Sequence, residues 1–390
     1  MASQTDTPGT AQANQAASAL LERLLPADLD LPAGSARLRL AVTGRDEVDV
    51  VLDAGGGRIE APDGKPDALL RADPATWEQV VRDLPSGLSA FGRGRLEIRQ
   101  NLHLGVNFLS ATSGNDDPTR LRFETVETKR GKISTVQAGA GKPVLMLHGL
   151  GGTKASFLPT VGALAPHGHR VIAVDLPGFG DSDKPIGARY DPKYFSQATL
   201  ALMDALGLEQ TDIIGHSLGG RVALEALLHA PGRFGHAVLM TPSLAWLRER
   251  PWAPFLRLVR PELGLLQPAP RPVVERVVEQ LVPGAGSRYA AAGIDEFLRS
   301  YTTARGRAAF YAAARNIYLE KPERFWERLH KLEPPALFVW GSRDPLVPAA
   351  FERHVRDAVP QARHITLDCG HIPQVERPVE LHRAISGFLD

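Results

Sequence analysis

The chain predicts an α/β fold: a mostly parallel central sheet with helices on both faces and an inserted helical cap, preceded by a small α+β domain. Three observations carry this expectation. From Leu121 onward, short continuously apolar runs alternate with helical stretches, as strands buried on both faces of a parallel sheet do. The strand pattern halts after Thr241 and resumes at Glu333-Pro-Pro-Ala336, leaving an insertion over residues 243–334. Ahead of all this, residues 18–112 show a two-residue alternation of their own, cut off by the polar, turn-forming run Ser113-Gly-Asn-Asp-Asp-Pro-Thr119.

The 390 residues suffice for two or three domains with sizeable cores. A hydrophobic content of 43%, a charged content of 23% and a net charge of +1 describe an ordinary soluble chain. They offer no reason to expect a nucleic-acid partner. Cys369 is the single cysteine, which rules out an intramolecular disulfide. It reads as a small buried apolar side chain in a reducing, cytoplasmic setting. Residues 1–17, rich in Ala, Thr and Gln without a basic start or an apolar stretch, read as a disordered tail rather than a secretory signal. No apolar run approaches the roughly 18 residues that span a bilayer, while transient membrane contact and the oligomeric state stay open.

In the first domain Leu38, Leu40 and Val42 alternate with polar residues, as do Val48, Val50 and Leu52, before Asp53-Ala-Gly-Gly-Gly57 turns the chain. Two further short strands follow. Asp73-Pro74 is a helix start, an N-cap acceptor followed by proline at the first helical position. Trp77, Val80, Val81 and Leu84 form the expected buried face of that helix. Gly94 to Arg99 alternates again, and Leu102 to Leu109 reads as helical. The runs Pro66 to Trp77 (P-D-A-L-L-R-A-D-P-A-T-W) and Leu88 to Arg99 (L-S-A-F-G-R-G-R-L-E-I-R) resemble the sterol-carrier-protein domain. That resemblance implies a lipid-binding domain over residues 18–112, holding acyl chains or sterols in an apolar tunnel. Residues 113–122 are then a linker.

In the second domain, residues 123–390, strands are expected at Val144–Leu147, Val171–Val174, Ile213–Ile214, Ala237–Met240 and Ala336–Val339, with another at His364–Leu367. Asp191-Pro192 opens a helix with apolar Phe195, Ala198, Leu202 and Leu206, closed by Gly207. The stretch Gly215-His-Ser-Leu-Gly219 follows the strand at Ile213-Ile214 and precedes a helical run from Arg221 to His229. This is the context of a nucleophile elbow, in which G-x-S-x-G lifts a serine onto a strand-to-helix turn. Asp344 stands just after one strand and His371 in the loop after another, at carboxyl ends where open parallel sheets build their sites.

Together with Asp175-Leu-Pro-Gly-Phe-Gly-Asp-Ser182 (D-x-x-G-x-G-x-S), Gly341 to Pro348 (G-x-x-D-x-x-x-P) and Gly370-His371 through Glu376 and Pro378, these motifs resemble the serine-nucleophile α/β-hydrolase superfamily. The branches nearest in context are the monoacylglycerol-lipase-like and carbon–carbon hydrolase ones. The resemblance implies Ser217 as nucleophile, His371 as general base and then acid, and Asp344 as the group orienting the imidazole. His148-Gly-Leu-Gly-Gly152 matches the family's H-G-x-G loop, which implies an oxyanion hole from the N–H groups of Leu150 and Leu218. His148 is read as support for that loop, and His216 as a packing neighbour of the serine.

A dinucleotide-binding reading of Gly149 to Lys154 fails because Lys154 stands where G-x-G-x-x-G requires glycine. No metal-ligand spacing appears, so neither metal nor cofactor is expected. The cap carries Trp246, Trp252, Phe255 and Tyr311 as candidate substrate contacts. The combined expectation is a hydrolase of carboxylic esters, hydrophobic or lipid-like, acting through an acyl-enzyme. Hydrolysis of a carbon–carbon bond in a ring-cleavage diketone is the alternative, and a non-catalytic lipid carrier is the alternative from another class.

Overall fold

A computed structural model describes residues 10–82, 90–91, 93–113, 118–244, 272, 276, 288–317 and 322–390. The chain divides into two units: residues 1–123 with 286–296, and residues 124–285 with 297–390.

The first unit is built on a five-stranded sheet of β1 (Ser35–Val42), β2 (Glu47–Asp53), β3 (Gly56–Glu60), β4 (Ala68–Ala72) and β5 (Glu97–Arg99). The order is β3-β2-β1-β4-β5, with β1 and β4 parallel and the other pairs antiparallel. The alternation read from the sequence sets the register, since Leu38 pairs with Val50 and Leu40 with Val48, all four buried. The helix Pro74–Arg82 begins as expected, with Asp73 Oδ1 accepting the Thr76 N–H at 2.9 Å. Trp77 and Val80 are buried on it, and the Trp77 indole N–H donates to Ala41 O at 3.0 Å. Val81 is only half-buried, and Leu84 lies outside the described residues.

Two boundaries differ from expectation. Residues 1–17 were expected as a tail, yet a helix runs over Thr10–Leu21 and buries Ala13, Ala16, Ala17 and Leu20. Those four stand one helical turn apart, but a stripe made mostly of alanine gives little hydrophobic contrast in sequence. The second difference concerns residues 286–296, expected as cap and found within the first unit. Two buried carboxylates on this stretch account for it. Asp295 receives Arg99 Nε at 2.7 Å and the Gln100 N–H at 2.8 Å, and Glu296 Oε1 accepts the N–H groups of Leu102 at 2.7 Å and His103 at 3.2 Å. Glu296 thereby caps the wholly buried helix Leu102–Ala111 from a distant part of the chain.

In the second unit an eight-stranded sheet contains β6 (Arg122–Thr128), β7 (Gly131–Ala138), β8 (Lys142–Leu147), β9 (His169–Val174), β10 (Thr211–His216), β11 (Phe234–Met240), β12 (Ala336–Gly341) and β13 (Arg363–Leu367). The order is β13-β12-β11-β10-β8-β9-β7-β6. Strands β8 to β13 are parallel, and β7 runs antiparallel to β9, so the sheet is mixed. All six strands expected here are present. β6 and β7 were not anticipated, because β6 is largely exposed and lacks the apolar run of its neighbours. The chain passes from β8 to β9 on one side and then to β10 on the other, so the carboxyl ends of β8 and β10 lie side by side at a topological switch point.

Helices Leu158–Leu164, Pro192–Ala205, Leu218–His229, Glu352–Ala358 and Pro378–Leu389 accompany the sheet. Asp191 caps the second of these by accepting the Tyr194 N–H at 2.7 Å, and Gly207 beyond its end has φ +66°. Of the expected cap, the helices Arg288–Tyr301, Ala304–Asn316 and Pro322–Leu329 are described. Trp246, Trp252 and Phe255 lie outside the described residues. Among the described residues no helix is long and apolar enough to cross a membrane.

Replacing Glu296 by Ala leaves the Leu102 and His103 N–H groups buried without that acceptor. Equilibrium urea unfolding should show a loss of about 2–3 kcal/mol, with Glu296→Gln, which keeps an acceptor oxygen, losing much less.

Candidate active site

The strand-to-helix turn at Ser217 follows from what its glycines permit. Ser217 sits at φ 52°, ψ −112°, a conformation that costs about 1–3 kcal/mol for a residue with a side chain. The surrounding backbone over-determines it. The Ser217 N–H donates to Met240 O at 2.9 Å, and Ser217 O accepts from Arg221 at 3.1 Å and from Ser243 at 3.1 Å. A Cβ at Gly215 would lie 2.4 Å from Gly219 O, and one at Gly219 would lie 2.0 Å from Leu147 O. Only glycine lets the strand, the turn and the helix approach this closely.

The three residues expected from β10, β12 and β13 meet at one point. Ser217 Oγ lies 3.0 Å from His371 Nε2, and His371 Nδ1 lies 2.8 Å from Asp344 Oδ2. All three are buried, at 6–7% exposure. Asp344 Oδ1 accepts the N–H groups of Leu346 at 2.7 Å and Val347 at 2.9 Å, which fixes the carboxylate and leaves Oδ2 for the imidazole. A carboxylate only accepts, so His371 Nδ1 carries the proton and Nε2 faces the serine as an acceptor.

The His371 loop is held on both sides. Glu376 accepts from the Gly370 N–H at 2.8 Å and from the Ile372 N–H at 3.1 Å, bracketing the histidine with one carboxylate. This gives the glutamate of the G-H-x-x-x-x-E pattern a physical role. His371 O in turn accepts from His216 Nε2 at 2.7 Å and from Thr241 Oγ1 at 3.1 Å. Burial, with the neighbouring His371, pushes His216 down to about 3, so it is a neutral donor, in keeping with its reading as a packing neighbour.

His148 supports the adjoining loop. Its Nδ1–H donates to Gly149 O at 2.7 Å, and its Nε2 accepts the Leu176 N–H at 3.0 Å. Burial lowers its pKa and keeps the ring neutral, which this donor–acceptor pair requires. A Cβ at Gly149 would lie 2.9 Å from His216 Nδ1 and 3.2 Å from the Ser217 Cβ, so the loop backbone passes directly over the serine. Leu150 follows on that loop, and Leu218 opens the helix after Ser217, where the first N–H groups have no intrahelical acceptor. On the far side of the loop, a Cβ at Gly151 would lie 2.6 Å from Phe297 and 3.2 Å from Phe310. These two rings pack with Tyr301 and Tyr311, whose hydroxyls are 2.9 Å apart. Tyr311 is thus part of an aromatic cluster that backs the loop.

Lys154, met in the sequence only as a missing glycine, is buried at 2% exposure. Its Nζ lies 2.6 Å from Asp175 Oδ2 and 3.2 Å from Asp181 Oδ2, and its N–H donates to Asp175 Oδ1 at 2.7 Å. Arg299 forks onto Asp181 at 2.6 and 3.0 Å. Burial alone would lower the lysine pKa and raise that of Asp175. The two carboxylates outweigh burial for Lys154, and the Lys154 ammonium outweighs it for Asp175, so Lys154 titrates above and Asp175 below its ordinary value. A Cβ at Gly180 would lie 2.1 Å from Asp175 Oδ2, which explains the second glycine of D-x-x-G-x-G-x-S.

Cys369 is fully buried, and burial pushes its thiol up to about 12. Among the described residues no group of His, Cys, Asp and Glu is placed to hold a metal ion. Ser243 and Arg299 are neighbours that the sequence did not single out, because each acts through tertiary contact rather than within a motif.

Lys154→Met would strand the Asp175 carboxylate. The expected loss at neutral pH is about 3–5 kcal/mol by denaturant unfolding. Asp175 titrates below its ordinary 3.8 when folded, so its contribution to wild-type stability is complete above that value and is lost as the pH falls below it, through the lower folded-state value. The gap between variant and wild type should therefore narrow in acid.

Residues 142–378 match the alpha/beta hydrolase fold family. The chain is 28% identical over 272 residues to 2-hydroxy-6-oxo-6-phenylhexa-2,4-dienoate hydrolase of Comamonas testosteroni, covering 65% of this chain and 89% of that protein. It is 31% identical over 270 residues to 2-hydroxy-6-oxononadienedioate/2-hydroxy-6-oxononatrienedioate hydrolase of Paraburkholderia phymatum, covering 64% and 88%. Among solved structures, the enol-lactonase from Burkholderia xenovorans LB400 superposes with a TM-score of 0.59 at 20% identity, covering 68% of this chain and 99% of that one. With the family match spanning most of the chain and the strand order around Ser217 as described, the chain belongs to the alpha/beta hydrolase fold family.

Proposed function

We propose that this hydrolase cleaves carboxylic esters of hydrophobic or lipid-like character, with Ser217 as nucleophile, His371 as base and Asp344 as its orienting acid. The observation that carries the reading is the continuous relay from Ser217 Oγ through His371 to Asp344, at 3.0 and 2.8 Å. In this reading Ser217 Oγ attacks the acyl carbon as its proton passes to His371 Nε2, and Asp344 stabilises the imidazolium. The N–H groups of Leu150 and Leu218 receive the charge that develops on the carbonyl oxygen. His371 returns the proton to the leaving alcohol, then activates water against the acyl-enzyme.

A second reading is hydrolysis of a carbon–carbon bond in a vinylogous diketone. What favours it is the names of the two relatives, both hydrolases of unsaturated 2-hydroxy-6-oxo acids. The same serine and base serve either reaction, and the substrate decides between them. For the first unit we propose a sterol-carrier-like domain, resting on its resemblance over residues 66–77 and 88–99.

A series of p-nitrophenyl esters of increasing chain length separates the readings. Turnover that rises with chain length supports ester hydrolysis of apolar acyl groups; turnover of a ring-cleavage diketone with negligible esterase activity supports the second. Ser217→Ala should lower kcat by several orders of magnitude, of the order of a millionfold where serine and base act as one unit. A protein that a fluorophosphonate does not label would be a carrier rather than a hydrolase.

Lipid holding is best measured on the full chain, because cutting away residues 1–123 would strip Asp295 and Glu296 of their partners. Saturable binding of a fluorescent fatty acid that survives fluorophosphonate inactivation would support the domain reading. Its absence would reduce the first unit to a packing module.

A further inference from the structure

A second hydroxyl reaches the reacting oxygen. Ser243 Oγ lies 3.1 Å from Ser217 Oγ, and Ser243 is 7% exposed. Its position is built rather than incidental. It ends the segment Thr241-Pro242-Ser243 that leaves β11, in which Thr241 sits at φ 40°. The Thr241 N–H donates to Val339 O at 2.8 Å, and the Ser243 N–H donates to Ser217 O at 3.1 Å. A Cβ at Gly220 would lie 2.9 Å from the Pro242 Cβ, so the segment is also wedged against the helix that follows the serine. Through Thr241 Oγ1 it holds the carbonyl of His371, and through Ser243 it holds both the carbonyl and the hydroxyl of Ser217.

Counting protons sets the direction of the contact. His371 Nδ1 spends its hydrogen on Asp344, so Nε2 accepts, and the one hydroxyl proton of Ser217 lies toward Nε2. Ser217 Oγ then has only lone pairs to offer Ser243, and Ser243 must be the donor. A donor on the oxygen of an O–H makes that O–H more acidic, because hydrogen bonds in series polarise one another. Partial negative charge gathers on Ser217 Oγ twice in an acyl-enzyme cycle. It does so as the proton departs to His371 before attack, and again as Oγ leaves the acyl carbon during deacylation.

We propose that Ser243 is a further catalytic residue, donating to Ser217 Oγ and stabilising the charge that develops there in both half-reactions. The inference rests on Ser217 being the nucleophile.

The test uses the full chain, p-nitrophenyl butyrate and a fluorophosphonate, with the labelled peptide mapped. Labelling of the wild type at Ser217 is required first, and its failure removes the nucleophile reading itself. Given that labelling, Ser243→Ala should lower kcat and the second-order rate of fluorophosphonate inactivation together, by roughly ten- to a hundredfold, with KM unchanged. Ser243→Thr, which keeps the hydroxyl, should recover most of both rates. A role confined to packing would instead lower the melting temperature and leave the inactivation rate of the folded protein unaltered. An alanine variant inactivated at the wild-type rate overturns the proposal while leaving Ser217 as nucleophile. Should Ser243→Ala not fold, Ser243→Cys, a weaker donor of similar shape, takes its place with the same expected and overturning results.

Discussion

A side chain held at positive φ is unstable in isolation, and the candidate site depends on that conformation being enforced at Ser217. The enforcement comes from the sheet. β10 is flanked by β8 and β11, so the turn at its end meets the Leu147 carbonyl on one side and Met240 on the other. Backbone hydrogen bonds to Ser217, and glycines at the two positions where a Cβ would collide with the backbone, hold the strained residue in place. The histidine approaches from β13 and the aspartate from β12, each fixed by amides or carboxylates of its own loop.

The second constraint is electrostatic. A fully buried lysine is tolerated only when opposite charges repay its desolvation, and Lys154 has two carboxylates within 3.2 Å. The arrangement ties the loop that passes over Ser217 to the end of β9 and to the Gly178–Ser182 turn. Arg299 on Asp181 adds the last turn of the helix Arg288–Tyr301 to the same network. Phe297 and Phe310 approach Gly151 from that side too, so the loop is positioned by charge at one end and by aromatic packing at the other.

Much of this was legible in the sequence, for definite reasons. Buried parallel strands must be apolar throughout, so Val144–Leu147 and Ala237–Met240 announced themselves. The elbow was legible because its glycines answer a steric demand, and His371 because its loop carries a recurring pattern. What escaped notice depends on contacts between residues far apart in the chain. Ser243 is 26 residues beyond Ser217 and belongs to no motif. Glu296 caps a helix 194 residues earlier, and nothing in the spacing could connect them. The helix Thr10–Leu21 escaped because alanine buries too little surface to mark a face. The edge strand β6 escaped because exposure removes the apolar signature, and the buried strand β7 because Ser134, Thr135 and Gln137 interrupt its apolar run.

The burial of Cys369 has a practical side. Cys369 is two residues from His371 and two from the strand end at Leu367, it is the only cysteine in the chain, and its thiol is almost entirely protonated at neutral pH. A thiol reagent can reach it only when the structure that buries it opens. Its modification rate is therefore a native clock for the opening of that stretch, one that needs no engineered label and reads the segment next to His371.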